Sequence, residues 1–283
     1  MEKIKDIYKF LNPKFQNLFL EYKVNFRPRY GHGLPPNKLL YSIIDKNRNQ
    51  YKKLLSSFLE HTEVFHGIKK LNEEKNLNNP TWNNGFLPGL DIINIFSIIS
   101  KYKPKKYIEV GSGNSTKVAY KAIRENKLTT EIISIDPCPR AEIDNLSNKV
   151  IRQPFESIDF DFIFDLKEND ILFIDNSHRA LPNSDATVFF LEVLPKLSKG
   201  VIVHIHDIYL PYDYPQFMCD RFYSEQYLLA SYLLANSKKY NPLLPNYFIS
   251  EDKELKKILE PIWNHPNLEG VEKHGGSFWL TID

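Results

Sequence analysis

Five side chains able to hold or move a charge stand where apolar runs end: Glu109, Asp136, Asp175, His206 and Asp207. In open α/β sheets ligands sit beyond the carboxyl ends of the strands, so acids and imidazoles at such ends are placed to meet one. The richest stretch is Lys106-Tyr-Ile-Glu-Val-Gly-Ser-Gly-Asn-Ser-Thr116, where a run carrying Glu109 turns through Gly111 and Gly113 into a helix over about 115–125. Glycine lets the backbone turn tightly and approach a ligand closely. The free N–H groups of the helix start favour an anion. Twenty-five residues past Gly111, the run Glu131-Ile-Ile-Ser-Ile ends at Asp136, where an acidic side chain can hold both hydroxyls of a ribose. A nucleoside-bearing cofactor fits this combination.

The elements that must position these groups alternate. Strands are expected near 106–110, 131–136, 149–153, 171–175 and 201–206, with helices or loops between them, which argues for a mostly parallel sheet. A helix over 89–102 precedes the first strand, another over 185–197 separates the fourth and fifth, and the tail supplies a helix over 224–234, a strand over 247–250 and a last strand over 277–282. Residues 1–80 differ. Leu39, Leu40, Ile43 and Ile44, then Tyr51, Leu54, Leu55, Phe58 and Leu59, repeat at helical spacing without a convincing strand. The expectation is a helical extension, 1–80, capping a cofactor domain, 81–283. Two irregular polar–aromatic loops, 27–36 with Arg27, Arg29, Tyr30 and His32, and 78–88 with Trp82, are of the kind that close sites.

A dinucleotide site would want G-x-G-x-x-G. Here Gly111-Ser-Gly113 continues as Asn114-Ser115-Thr116, without the third glycine, and Glu109 would stand beside a pyrophosphate. Facing a cationic ligand, Glu109 makes sense. Acid-x-Gly-x-Gly resembles the first motif of the class I S-adenosylmethionine-dependent methyltransferases, whose cofactor carries an ammonium and a sulfonium. The resemblance continues over about 200 residues, through Asp175-Asn-Ser-His178, His206-Asp-Ile-Tyr-Leu-Pro211 and Ser277-Phe-Trp279, and is greatest to a bacterial small-molecule branch. It implies an α/β fold with a mostly parallel seven-stranded sheet whose final strand is antiparallel. It also implies that Glu109 supports the methionine ammonium, that Gly111 and Gly113 lie under the cofactor, and that Asn114, Ser115 or their N–H groups meet its carboxylate. Asp136 would bind the ribose, and Asp175 would join the cofactor site. Asn114-Ser115 departs from the family's x-Gly, which leaves the carboxylate contacts open.

Methyl transfer is a displacement at carbon, so the protein must align the nucleophile and, for a hydroxyl or ammonium, remove a proton. His206 or His178 could serve as the base, with Asp207 beside them. Alternatively Asp175, His178, His206 and Asp207 could hold Mg²⁺ or Mn²⁺, as carboxylates at these strand ends do in related sugar O-methyltransferases. His204, two residues deeper in the strand, reads as a packed core histidine. Tyr209, Tyr212 and Tyr214 could wall an acceptor pocket or pack a proline-rich loop, and Arg140 could pair with a substrate anion or a surface acid. Tyr30 and Trp82 are placed toward the acceptor by the two closing loops. The expected function is methyl transfer to a small-molecule acceptor, oxygen before nitrogen, a sugar or secondary metabolite being a candidate. Its rivals are another use of the same cofactor, such as cyclisation or elimination, and a non-catalytic cofactor-binding module.

Composition narrows the partners. Lys+Arg 37 against Asp+Glu 35 gives no electrostatic case for nucleic acid or an anionic membrane. Two cysteines, Cys138 and Cys219, make no disulfide framework and match no zinc spacing, which favours a reduced, cytoplasmic setting. The charged start, Met1-Glu-Lys-Ile-Lys-Asp, does not read as a signal peptide. The most apolar helix, over 90–100, is interrupted by Asp91 and Asn94 and falls short of the roughly 20 residues that span a bilayer, so no membrane insertion is expected. A homo-oligomer is left open.

Overall fold

The structure is a computed structural model that describes residues 2–139 and 141–283. Its frame is one sheet of seven strands: β1 (Lys106–Val110), β2 (Glu131–Ile135), β3 (Lys149–Ile151), β4 (Ile171–Ile174), β5 (Ile202–Ile205), β6 (Tyr240–Pro245) and β7 (Phe278–Ile282). They lie in the order β3-β2-β1-β4-β5-β7-β6. β1 to β5 pair in parallel, and β7 enters antiparallel between β5 and β6. β4 and β5 are buried along their whole length, which explains why they read as unbroken apolar runs and not as alternating ones. The chain leaves β1 toward β2 on one side, and β4 takes the other. This reversal opens a crevice at the carboxyl ends of β1 and β4.

The helix Gly89–Tyr102 is buried on nearly every face and packs with the helix Asn114–Glu125. It ends at Lys103, whose left-handed φ of 48° stops the spiral. The helices Lys38–Asp45, Arg48–Phe58 and Thr62–His66 place Leu40, Ile44, Tyr51, Leu54, Leu55, Phe58 and Phe65 in the same buried cluster as the sheet. The helix Glu2–Leu11 stands apart, with Ile7, Tyr8, Phe10 and Leu11 exposed. Among the described residues, no helix is long and apolar enough to cross a membrane.

Three elements differ from expectation. The helix over 185–197 is a composite: α over Asp185–Val188, a π turn over Phe189–Val193 and a 3₁₀ turn over Leu194–Lys196. Pro195 has no N–H to continue the ladder and crowds the carbonyl four residues back, so the spiral widens before it. The strand expected over 247–250 is a helix, Asn246–Glu251, and the strand lies just upstream in β6. Pro242 and Pro245 argued against a strand there, yet β6 is the sheet's edge, where a missing donor is tolerated. β3 is shorter than expected, ending at Ile151.

Candidate functional site

The two glycines of the first turn do different jobs. Gly111 has φ +80°, and a Cβ there would stand 1.8 Å from the Asp175 carbonyl oxygen. It is required because β4 ends against it. Gly113 is extended, at φ 172°, and a Cβ on it would meet no protein atom within 4 Å. The space it leaves belongs to a cleft of about 70 Å³ lined by Phe86, Leu87, Gly111, Gly113, Asn114, Ser115 and Asp175. On the other side of Gly111, Asp136 faces a second hollow shared with Gly111, Phe155 and Asp175. Its carboxylate accepts the N–H groups of Ser112 (2.9 Å) and Cys138 (2.8 Å). Gly111, Gly113, Asn114, Ser115 and Asp175 thus converge as the sequence suggested, with Asp136 one turn away.

Glu109 is not on the cleft wall. It is fully buried, accepts the Thr116 hydroxyl and lies 3.4 Å from the Tyr107 hydroxyl, while Thr116 in turn accepts the Gly113 N–H. Burial pushes its carboxyl up to about 8, against the opposing hydrogen bonds of Ser115 and Thr116, so near neutrality it is mainly the uncharged acid. Its role is to prop the glycine turn from behind. Glu109→Gln, an uncharged near-isostere, should change unfolding free energy by less than about 1 kcal/mol, whereas Glu109→Ala should cost roughly 2–3 kcal/mol by stranding the hydroxyls around it. Denaturant melts of the two variants check this; a Gln variant as damaged as the Ala variant would contradict the uncharged state.

Beyond the cleft, the ends of β4 and β5 form a cluster of acids and imidazoles. His206 Nδ1 lies 3.5 Å from Asp175 and 3.6 Å from Asp207, and its Nε2 lies 3.4 Å from Asp91. His178 Nε2 lies 3.4 Å from Asp175 and 3.5 Å from Asp207, and its Nδ1 meets Glu225 at 2.5 Å. His178 and Asp207 are themselves held at left-handed φ, 63° and 52°, where non-glycine residues are uncommon. Asp91 and Glu225 had not been foreseen. Asp91 is fully buried and accepts from Gly276 N, Ser277 N and Asn246 Nδ2 at 2.8, 3.1 and 2.5 Å.

These neighbours fix the charges. Burial would lower His206, but the charges of Asp175 and Asp207 outweigh it and carry the group well above its ordinary value. Burial would raise Asp175, yet the nearby His206 charge and then that of His178 hold it down to about 2. His204 is the opposite case: burial and the His206 charge keep it neutral. It stacks on Phe173 at 3.7 Å and bonds Ser277 Oγ at 2.6 Å, a core histidine as expected. For His178, burial lowers the pKa while Glu225, then Asp207 and Asp175, raise it to about 9.

Because that value exceeds the ordinary 6.5, the stabilisation from charged His178 is complete below about pH 6.5 and is lost as the pH rises through about 9. Urea unfolding between about pH 6 and pH 10 should show a fall of roughly 3 kcal/mol over that window, and His178→Gln should flatten it. A flat profile in the unmutated chain would mean His178 is not charged.

Two earlier assignments change on this geometry. A base must arrive unprotonated, and the carboxylates around His206 and His178 push both imidazoles toward the charged form. As for metal, among the described residues no group of three or more His, Cys, Asp or Glu is arranged to hold an ion. Both ring nitrogens of His178 and of His206 lie within 3.6 Å of a carboxylate oxygen.

The aromatic candidates separate. Tyr214 is fully buried and, with Tyr209, Met218, Cys219 and Tyr223, forms its own small core. Tyr212 is half-buried beside Gly31, whose Cβ position lies 2.7 Å from it. The loop over 27–36 is stitched to the segment after β5: Arg29 N donates to Asp213 Oδ2 at 2.7 Å, Asp213 N donates to Tyr30 O at 3.0 Å, and His32 Nε2 lies 2.9 Å from Asp213 O. Tyr30 is partly exposed there. Trp82 is a correction: it is fully buried against Trp263, in the core and away from any acceptor. Its loop reaches the cleft through Phe86 and Leu87 instead. Arg140 lies outside the described residues.

Strand order, antiparallel β7 and a glycine-turned cleft at the β1–β4 switch point define a class I methyltransferase-type, Rossmann-like fold. Residues 108–208, from within β1 to just past β5, match a family model described as a methyltransferase domain. An uncharacterized protein of Archaeoglobus fulgidus is 33% identical over 95 residues, covering 31% of this chain and 42% of the relative, so the chain spans about two-fifths of that relative's length. Among solved structures, the chain is similar to the SAH-bound Podospora anserina methyltransferase PaMTH1, at 17% identity over 90% of this chain and 100% of the other, TM-score 0.42. It is also similar to the plantazolicin methyltransferase BpumL in complex with SAH and a pentazolic desmethylPZN analog, at 12% identity over 85% and 99%, TM-score 0.44. A third is a Thermobifida fusca YX methyltransferase described as putative, at 8% identity over 88% and 95%, TM-score 0.42.

Proposed function

We propose that the chain methylates a small-molecule acceptor with S-adenosylmethionine, at oxygen before nitrogen. The open cradle at Gly113 carries this reading: a Cβ there would meet no protein atom within 4 Å, and Asn114 and Ser115, first in the following helix, line the same cleft. When bound, the cofactor supplies a methyl group on a sulfonium already activated for displacement. The backbone N–H groups of Asn114 and Ser115 would hold its carboxylate. Asp136, which keeps acceptor capacity beyond its two backbone bonds, would hold the ribose hydroxyls. Asp175, at the cleft's edge, joins cofactor and acceptor sites.

Proton removal falls to Asp207, the catalytic residue this geometry favours. A hydroxyl oxygen becomes strongly acidic as the new C–O bond forms, so a carboxylate suffices to take its proton. An ammonium must be stripped before it can attack, which a carboxylate does poorly. His206 and His178 are positioning residues that hold Asp207 and Asp175 in place as imidazolium partners. Residues 1–80 cap the acceptor side, a reading supported by the Arg29, Tyr30 and His32 contacts to Asp213.

Calorimetry with S-adenosylmethionine, its demethylated product and NAD tests the cofactor: the first two should bind and NAD should not. Turnover should persist in EDTA, because the imidazoles that would ligate Mg²⁺ or Mn²⁺ are engaged with acids. Binding of NAD alone would replace the reading with hydride transfer, and activity lost to EDTA and restored by Mg²⁺ would bring the metal back.

A further inference from the structure

We infer that the acceptor is an anionic amphiphile, an apolar body bearing a carboxylate or similar acid, held in a groove of about 430 Å³ between residues 18–30 and 213–227. That this ligand is the acceptor rests on methyl transfer as proposed above; its chemistry rests on the groove. Leu20, Val24 and Phe26 line it from the N-terminal segment, and Phe222 and Tyr227 from the segment after β5. Each is between a third and a half exposed, an unusual concentration of wet apolar surface that an apolar ligand would cover. Phe26 and Phe222 meet edge to face at 4.9 Å and join the two walls.

The groove's charge is one-sided. Arg27 and Arg29 line it, and neither guanidinium enters an ion pair among the described residues. Asp213, the carboxylate in the lining, is already taken, accepting from the Tyr227 hydroxyl at 2.9 Å and from Arg29 N at 2.7 Å. Arg179 and Arg221 add charge nearby, their guanidiniums 5.3 and 4.7 Å from the centre of the Tyr223 ring. Guanidinium forks match carboxylates and phosphates, and would repel an amine.

The groove also ends beside the acid–imidazole cluster. Tyr223 lines it and stacks on His178 with ring centroids 4.6 Å apart, and Ser224 N donates to the His178 carbonyl at 2.9 Å. His178 contacts Asp175, which lines the cofactor cleft. A ligand lying along the groove therefore ends one aromatic ring away from the cluster that includes Asp207.

The test uses the full chain and two probes of one length, decanoate and decylamine, titrated calorimetrically below their aggregation range. Decanoate should bind at least ~10-fold more tightly than decylamine. The Arg27→Gln/Arg29→Gln double variant should weaken decanoate by ~10-fold or more and erase the preference, the scale of lost charge-assisted contacts. In spectra of histidine-labelled protein, decanoate should shift the imidazole signal of His178, identified by its loss in His178→Gln. Equal binding of both probes, an unchanged double variant, or binding that leaves the His178 signal unmoved would each overturn the inference. Adenosylhomocysteine binding is measured separately on the same preparation. Its failure would remove methyl transfer while leaving the decanoate result to stand or fall alone.

Discussion

Gly113→Leu is expected to fold and to lose the cofactor, while Gly111→Ala is expected not to fold. A leucine at 113 would enter space that no protein atom occupies, on an extended backbone open to any residue. The helix would lose a favoured cap, at a cost of up to about 1 kcal/mol. Cofactor affinity should nevertheless fall by ~100-fold or more, because the side chain fills the cradle. At Gly111 a methyl group would collide with the Asp175 carbonyl at 1.8 Å, and the φ of +80° is itself hostile to alanine. Strain and clash together should cost more than about 3 kcal/mol. Thermal melts and calorimetry on both variants give the answer. A Gly113→Leu protein that binds S-adenosylmethionine normally would move the site elsewhere, and a stable Gly111→Ala protein would refute the close approach of β4.

The second large effect concerns the acid–imidazole cluster. Asp207→Asn should keep cofactor affinity and cut turnover by ~10²–10⁴, the range for loss of a proton-transfer group, while costing less stability than loss of a whole side chain, because the amide still fills the space beside His178 and His206. His206→Ala should act on the fold instead. It would leave Asp91, Asp175 and Asp207 facing one another without their shared cation, and removing one partner from a buried charge group typically costs about 3–5 kcal/mol. Turnover and denaturant unfolding, measured on both variants, separate the roles. Full activity in Asp207→Asn would exclude it as the proton acceptor. Undiminished stability in His206→Ala would show that the histidine is not the cluster's cation.

The sequence disclosed the parts of this arrangement that are local in the chain. Strand ends, the glycine turn and the succession of strands and helices are short-range patterns, so Gly113, Asp136, Asp175, His178, His206 and Asp207 could all be picked out before any coordinates. The partners that set their charge could not. Glu225 meets His178 across 47 positions, and Asp91 sits in a helix far upstream of His206, Gly276 and Ser277. Asp91 had looked like a polar break in an apolar segment. An acid inside a helix that is apolar all round is itself a signal of a buried partner, and it could have been read that way. Glu109 fits its motif, but its depth behind Ser115 and Thr116 depends on packing that no motif encodes. The helix at Asn246–Glu251 was mistaken for a strand because a short aromatic and β-branched run fits either state.

The antiparallel entry of β7 has a consequence for the order of events during synthesis. The strand slots between β5 and β6, and the segment leading into it supplies the Gly276 and Ser277 N–H groups that Asp91 accepts. Until the ribosome has released this stretch, Asp91 has lost two of its donors, the sheet has an open seam beside β5, and His206 has no fixed counter-charge on its Nε2 side. The glycine turn and Asp136 are translated more than a hundred residues earlier. A nascent chain can therefore build its glycine-turned cleft long before it can fix the acid–imidazole cluster, and β7 acts as the latch that completes it.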